Sequence, residues 1–220
     1  MQNLAEFFEQ GGFFMYVNLL CSVITVGIIV ERAIFFLGKG AVNARAFLEQ
    51  IRKLVTANNV ERAVKLCSAT EAPVALVARA GLTRLSKGEA AVATGVEEAL
   101  TDVTPELKKR IGVLWSIANI ATLIGLLGTI TGLIGAFAAV GKAAAEQRST
   151  LLALKISEAM NNTWLGLAIA ATCMIGHVFL SAASKKQQHE LEAFAMKLEN
   201  MLSEALASGI NGSPSGSSAR

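Results

Sequence analysis

Three long windows without a charged side chain constrain the fold more than any other feature of the sequence. They cover residues 13–30, 111–140 and 159–184. An α-helix rises about 1.5 Å per residue, so about 20 apolar residues are needed to cross a hydrocarbon core about 30 Å thick. Core helices of soluble all-α proteins rarely contain uncharged runs of that length. The sequence therefore predicts an all-α polytopic membrane protein with three transmembrane helices.

The composition supports this prediction. Hydrophobic residues make up 53% of the chain and charged residues only 17%, whereas soluble domains average about 25% charged residues. The first residues carry Glu6 and Glu9 instead of a basic segment, so no cleavable signal peptide is expected. Cysteines 21 and 173 fall in apolar windows and Cys67 in a charged segment, which does not suggest a disulfide framework.

The distribution of Lys and Arg predicts how the chain is oriented. Thirteen lie between residues 32 and 110, three lie between the second and third windows, and none precedes the first window. Loops rich in Lys and Arg stay on the cytoplasmic side. The N-terminus is therefore predicted outside, the 38–110 segment inside, and the C-terminus inside.

The charged segments are predicted to be helical, because their apolar residues recur at helical spacing and no useful β-alternation occurs. Pro105 is a candidate start for the helix that enters the membrane as the second span. The predicted organisation is an outer N-terminal segment over 1–12, transmembrane helices over 13–37, 111–140 and 156–184, a cytoplasmic helical domain over 38–110, a short outer loop over 141–155, a cytoplasmic C-terminal helix over 185–207 and a disordered tail over 208–220.

The second window contains glycines at three- and four-residue steps. Small residues at this spacing let helices approach closely, which favours association where lipid supplies no hydrophobic driving force. Helix packing is therefore the predicted role of these glycines. The set is Gly125, Gly128, Gly132 and Gly135.

The third window begins with an unusual polar group. On a helix, Asn161 and Asn162 share a face with Glu158, and Thr163 points toward a neighbouring face. Ionisable groups inside spans generally face a bundle interior or a hydrated path, and a buried carboxyl group that favours its neutral form can take up and release protons. The alternative is a carboxylate at the membrane interface, solvated or paired with Lys155 one turn earlier. The two amides favour the functional interpretation.

Other classes of function have weaker support. The chain shows no metal-spaced His and Cys set and no nucleophile–base pair, so an enzyme is not expected, and neither a cofactor nor a nucleic-acid partner is predicted. A small-solute transporter would often show internal repeats and broken spans, which are not evident. His177 lies near the cytoplasmic end of the third window. A packing role is preferred for it over a role as a proton-exit group.

Two motifs resemble those of the TolQ/ExbB branch of the MotA/TolQ/ExbB proton-channel family. LIGLLGTITGLIGAF in the second window is similar to the family's LLGLLGTVxGxIxAF, and ISEAMNNTWLGLAIA in the third is similar to IAEALxATAxGLxxA. An upstream segment that ends in RAGL also resembles the family. The resemblance covers most of residues 10–185.

The resemblance implies a ring-forming homo-oligomer of five copies around a dimer of single-span TolR/ExbD-like subunits in the bacterial inner membrane, with the N-terminus periplasmic. It places Glu158 on the family's membrane glutamate, with Thr129 and Thr163 on its two channel threonines. Protons would be the coupling ion, and their flow would drive work in the cell envelope.

The sequence departs from the family pattern at three positions. Asn161 and Asn162 replace a more usual apolar pair, which would make the path wetter or alter gating. Thr122 stands where many members have Pro.

A non-conducting membrane scaffold remains the alternative function. The residues do not distinguish nutrient uptake, envelope maintenance and gliding motility as the work performed.

Overall fold

The computed structural model describes residues 4–38 and 43–209, with side chains described from residue 12 onward. Every regular element in these ranges is a helix. Short 3₁₀ turns at Leu85–Lys87 and Ala145–Gln147 separate some of the longer helices. The α-helices are α1 Leu4–Leu37, α2 Ala44–Thr56, α3 Val60–Ser68, α4 Pro73–Thr83, α5 Glu89–Lys108, α6 Ile111–Lys142 and α7 Arg148–Ala207.

Three of these helices are long and apolar enough to cross a membrane, as the uncharged windows predicted. The candidate spans lie in α1, α6 and α7. α6 alone has 32 residues, about 48 Å at 1.5 Å per residue, which exceeds the hydrocarbon thickness of about 30 Å.

Several helix ends differ from the expected boundaries. α7 begins at Arg148, inside the segment predicted as a loop, and it continues past residue 184 without a break. The expected start rested on charged residues, but charges end an apolar window without ending a helix. Pro105 lies inside α5 and does not start the second span. The break falls instead at Arg110, whose φ of 62° interrupts the helix just before α6.

The first helix changes conformation at the edge of its apolar window. Gly12 has φ 65° and ψ −158° inside α1, a region that side-chain-bearing residues rarely adopt. The candidate span begins at this glycine. Residues 1–3 of the predicted outer segment and residues 210–220 of the predicted disordered tail lie outside the described residues.

The chain divides into two compact units. The first, here called the span unit, comprises Met1–Arg32 and Arg110–Ser181. The second, here called the core unit, comprises Ala33–Lys109 and Ala182–Arg220.

The core unit is built around large apolar side chains from α2 to α5 and the C-terminal part of α7. Phe47 and Phe194 face each other with ring centroids 6.4 Å apart, and Leu198 and Leu202 are completely buried. The apolar positions predicted on the C-terminal helix therefore lie in or against this core. Burial raises the pKa of the Cys67 thiol to about 11, although nearby Arg79 opposes the rise, so this cysteine is a neutral core residue near pH 7.

The span unit packs α1 and α6 against α7 through small and polar residues. A Cβ on Gly166 of α7 would lie 2.6 Å from the carbonyl oxygen of Ala121 on α6, and one on Gly176 would lie 2.6 Å from the side chain of Ile29 on α1. At Gly166 the backbones of α6 and α7 therefore approach too closely for a side chain, whereas at Gly176 the Ile29 side chain fills the space that a Cβ would take. At the edge of the unit, Arg110 forms an ion pair with Glu31.

Candidate functional site

Glu158 lies on α7 and is paired with Lys155 one turn earlier. The Lys155 Nζ donates a hydrogen bond of 2.6 Å to Glu158 Oε2. The Glu158 side chain is 19% exposed and that of Lys155 40% exposed. The carboxylate of Glu158 is thus mostly covered, whereas the side chain of Lys155 is more exposed. The ion pair agrees with the interpretation of Glu158 as a residue at the membrane interface. Its partial burial agrees with the channel interpretation.

Two threonine hydroxyls meet across the contact between α6 and α7, one of them on α7 five residues after Glu158. Thr129 of α6 and Thr163 of α7 are in direct hydrogen-bond contact. Both hydroxyls also lie within reach of the carbonyl oxygen of Gly125, at 3.1 Å from Thr129 and 3.2 Å from Thr163. Thr129 Oγ1 additionally lies 3.5 Å from the carbonyl oxygen of Ala159.

The contact between the two threonines offers more hydrogen-bond acceptors than hydroxyl hydrogens. Each hydroxyl has one hydrogen to donate and two lone pairs, so Thr129 and Thr163 cannot both donate to the Gly125 carbonyl and to each other at once. The hydrogen bonds can therefore rearrange by rotation of the two hydroxyl groups. A pair with interchangeable donors suits a path along which protons move.

The two asparagines occupy different environments. Asn162 is 4% exposed, and a Cβ on Gly128 of α6 would lie 2.8 Å from the Asn162 side-chain carbonyl carbon. The amide of Asn162 thus fills the space that Gly128 leaves in the α6–α7 contact. Asn161 is only half-buried and is the more accessible of the two amides that were predicted to hydrate a path.

Three of the four glycines predicted to pack helices lie against α7. A Cβ on Gly125 would meet the carbonyl oxygen of Asn162 at 2.9 Å, and one on Gly132 would meet Ala159 Cβ at 2.8 Å. Gly128 faces Asn162, as described. Gly135 is different, because none of the described atoms lies within 4 Å of a Cβ placed there.

The remaining threonines of α6 bond to their own helix. Thr122 Oγ1 donates to the carbonyl oxygen of Ala118 at 2.9 Å, and Thr131 Oγ1 lies 2.9 Å from that of Leu127. His177 packs against Trp115, with ring centroids 6.0 Å apart. None of these three contacts involves Thr129 or Thr163.

Sequence reasoning missed the polar contacts of α1. Asn18 is completely buried, and its amide nitrogen lies 3.4 Å from the position of a Cβ on Gly166. Thr25 Oγ1 lies 3.1 Å from Cys173 Sγ on α7. A polar side chain inside a span was the available signal, but the first window has no short motif that would single out either residue.

No group of three or more His, Cys, Asp or Glu side chains within residues 4–38 and 43–209 is arranged to hold a metal ion. Hydroxyl and amide groups supply polar contacts between α6 and α7.

Comparison with known families decides how this arrangement is to be understood. Residues 69–193 match the sequence model of the MotA/TolQ/ExbB proton channel family, which is more than half of the chain. The chain belongs to the MotA/TolQ/ExbB proton channel family.

Curated relatives agree with this membership. The chain is 28% identical over 223 residues to the biopolymer transport protein exbB1 of Vibrio cholerae serotype O1, covering 94% of both chains. It is 29% identical over 163 residues to a Synechocystis protein named as biopolymer transport protein ExbB-like 3, covering 73% of this chain and 77% of the relative.

The region matched to the MotA/TolQ/ExbB family contains the whole polar arrangement of α6 and α7. Thr129, Glu158 and Thr163 fall within residues 69–193, whereas the apolar part of α1 with Asn18 and Thr25 lies before it. The protein is thus a membrane protein of a transport and energy-coupling family, and Glu158 lies inside the matched segment.

Proposed function

We propose that this protein is the proton-channel subunit of an inner-membrane motor that uses the proton motive force to drive work in the cell envelope. The observation that carries the proposal is the partly buried Glu158 five residues before Thr163, whose hydroxyl contacts that of Thr129, within a segment that matches a proton channel family. A carboxyl group in a span that is not exposed to bulk water generally faces a bundle interior or a hydrated path.

Each polar residue has a distinct role in this proposal. Glu158 takes up and releases the proton and faces the partner subunits. Thr129 and Thr163 supply hydroxyls along the path, since their hydrogen bonds can rearrange. Asn161 hydrates the path from its half-buried position, and Asn162 holds α6 and α7 together beside it.

The chain is proposed to act as a ring, most simply the pentamer implied by the family resemblance, around a dimer of single-span TolR/ExbD-like subunits. The uncovered apolar surface supports this assembly. Only 17% of the most hydropathic window in α6 is buried inside the chain, so most of that helix is left for lipid, other copies or partner helices. Gly135, which packs against none of the described residues, is proposed to lie where α6 meets another helix of the ring.

The proposed orientation has a periplasmic N-terminus and a cytoplasmic C-terminus, with the core unit in the cytoplasm. It is supported by the thirteen Lys and Arg between residues 32 and 110. In this orientation the Glu158 end of α7 lies toward the periplasm. One proton crossing about 100 mV releases about 2.3 kcal/mol, which is sufficient to bias a conformational step.

The decisive experiment measures proton flux with the full chain and the ExbD-like subunit of the same organism in liposomes. A potassium gradient with valinomycin imposes the potential, and an enclosed pH-sensitive dye reports proton entry. We expect flux from the natural complex, its loss in Glu158→Gln, and reduced flux in Thr129→Val and Thr163→Val. Native mass spectrometry of each complex verifies that the same assembly forms.

Matched controls are available within the same helices. Thr131→Val removes a hydroxyl two residues from Thr129 whose bonds are to its own helix, and Glu146→Gln removes an exposed carboxylate from the α6–α7 connection. Both should leave proton flux unchanged. A scaffold that conducts nothing predicts the opposite result, in which every variant assembles and none, including the natural complex, carries protons. Undiminished flux in Glu158→Gln would also overturn the proposal.

A further inference from the structure

The counter-ion of Glu158 has a position that the proposed function does not explain. Lys155 and Glu158 stand at the end of the uncharged 159–184 window. The lysine ammonium donates directly to Oε2 of the carboxylate at 2.6 Å. The ammonium therefore takes one lone pair of the carboxylate, and its positive charge opposes the approach of a proton to either oxygen.

The pair is asymmetric in a way that favours release of the lysine. The Lys155 side chain is 40% exposed and Glu158 only 19%. A lysine ammonium sits on a flexible four-carbon stem, so it can move away to water without a change in the helix backbone. The carboxylate is shorter and more enclosed and stays in place.

The other charged groups between residues 141 and 155 are engaged elsewhere or exposed. Arg148 Nε donates to the carbonyl oxygen of Ala143 at 3.0 Å. Lys142 and Glu146 are both exposed. Lys155 is thus the cation that the fold itself places on the proposed proton-handling carboxylate.

We propose that Lys155 is a built-in latch of the channel: its ammonium occupies Glu158 in the idle chain and suppresses proton leak until it is displaced. This inference rests on the proposed function, since it assigns a regulator to the same carboxylate. While the ion pair holds, the positive charge of the ammonium repels a hydronium ion that approaches either oxygen of the Glu158 carboxylate. When the ammonium swings out, the carboxylate is free to accept a proton.

The test compares proton leak through the full chain alone, in liposomes under an imposed potential, with flux through the complex with its ExbD-like subunit. Lys155→Gln should raise the leak of the chain alone by about two- to fivefold, the factor that a partly exposed ion pair typically supplies. Lys155→Arg, which keeps the cation and its reach, should keep the leak low. In the complex, the increase caused by Lys155→Gln should be smaller, because the channel already opens.

Two further variants separate a latch from a general change of charge. Lys142→Gln removes an equal charge from the end of α6, outside the Lys155–Glu158 pair, and should not alter the leak. The double variant Lys155→Gln with Glu158→Gln should return the leak to the low level. The additional protons that leak through Lys155→Gln are expected to pass through Glu158. Size-exclusion chromatography of every variant verifies the same oligomer.

Outcomes for the latch and for the channel are distinguishable. If the natural complex conducts and Glu158→Gln does not, the proposed function stands whatever Lys155 does. If Lys155→Gln then leaves the leak and the complex flux unchanged, or if Lys142→Gln raises the leak equally, the latch is overturned. A leak that persists in the double variant overturns it as well, since those protons would bypass Glu158.

Discussion

The two units hold their helices together with opposite kinds of residue. The core unit uses large apolar side chains such as Leu198 and Leu202, which are completely buried. The span unit uses the absence of side chains at Gly125 and Gly166, where helix backbones nearly touch, and polar contacts such as Thr25 with Cys173. One chain thus contains two different solutions to helix packing.

The difference follows from the solvent that each unit is built for. In water, burying apolar surface stabilises a fold by roughly 25 cal/mol per Å², so large side chains go inside. In lipid that driving force is missing, and helices associate through close backbone approach and interhelical hydrogen bonds. Large apolar residues of the span unit accordingly point outward, as Leu123 and Val178 do, each with 64% exposure.

The largest effect that sharpens this comparison is expected in the core unit. Leu198→Ala removes a completely buried side chain and should lower the free energy of unfolding by about 2–5 kcal/mol. Hydrogen–deuterium exchange should quicken in α2 to α5 and stay unchanged in α6. Met196→Ala is the control, because Met196 is 60% exposed on the same helix and its loss should cost less than about 0.5 kcal/mol. Equal effects of the two variants would contradict the packing described for the core unit.

A smaller effect of opposite character is expected in the span unit, where adding atoms should do the damage. Gly166→Ala places a Cβ 2.6 Å from the Ala121 carbonyl oxygen and 3.1 Å from Gly125 Cα. Because backbone on both sides must move, we expect a loss of about 1–3 kcal/mol, measured by unfolding in mixed detergent micelles.

Gly135→Ala is the matched control for Gly166→Ala. No described atom lies within 4 Å of the added Cβ, and alanine favours a helix over glycine. The isolated chain should therefore be unaffected or slightly more stable. If the two alanine variants behave alike, close backbone approach is not what joins α6 to α7.

The same contrast explains how much could be predicted from the sequence. In the core unit, the helical spacing of apolar residues predicted the helices, and the spaced residues Phe194, Leu198 and Leu202 of the C-terminal helix lie in the core. The uncharged windows likewise predicted three candidate spans. Both signals depend on where apolar residues stand along the chain, which the sequence shows directly.

The contacts of the span unit could be predicted only in part. Nearly every position in a span is apolar, so periodicity carries little information about which face is covered. Glycine spacing pointed to Gly125, Gly128 and Gly132, but it also included Gly135, which packs against none of the described residues. The pairing of Thr25 with Cys173 joins positions 148 residues apart, and nothing in either local sequence connects them.

The smallest effect tests whether such polar contacts contribute to the span unit at all. Thr25 is completely buried, and its hydroxyl donates to the Cys21 carbonyl oxygen at 2.8 Å. That assignment uses its only hydrogen, so the Cys173 thiol donates to the Thr25 oxygen across the 3.1 Å contact. Thr25→Val keeps the shape of the side chain and should cost about 0.6 kcal/mol, the average for interhelical hydrogen bonds in membranes.

A double-mutant cycle of Thr25→Val with Cys173→Ala isolates this contact from the space that each substitution leaves. Unfolding in mixed micelles should give a coupling energy of about 0.6 kcal/mol. Thr172→Val is the control, because the Thr172 hydroxyl is exposed and bonds to the Ala168 carbonyl oxygen of its own helix. A coupling energy of zero would leave the packing of α1 side chains such as Ile29 against glycines of α7 as the main attraction between α1 and α7. The contrast between the units would then be one of side-chain size alone. Large apolar side chains would join the helices of the core unit, and close packing at glycines would join those of the span unit.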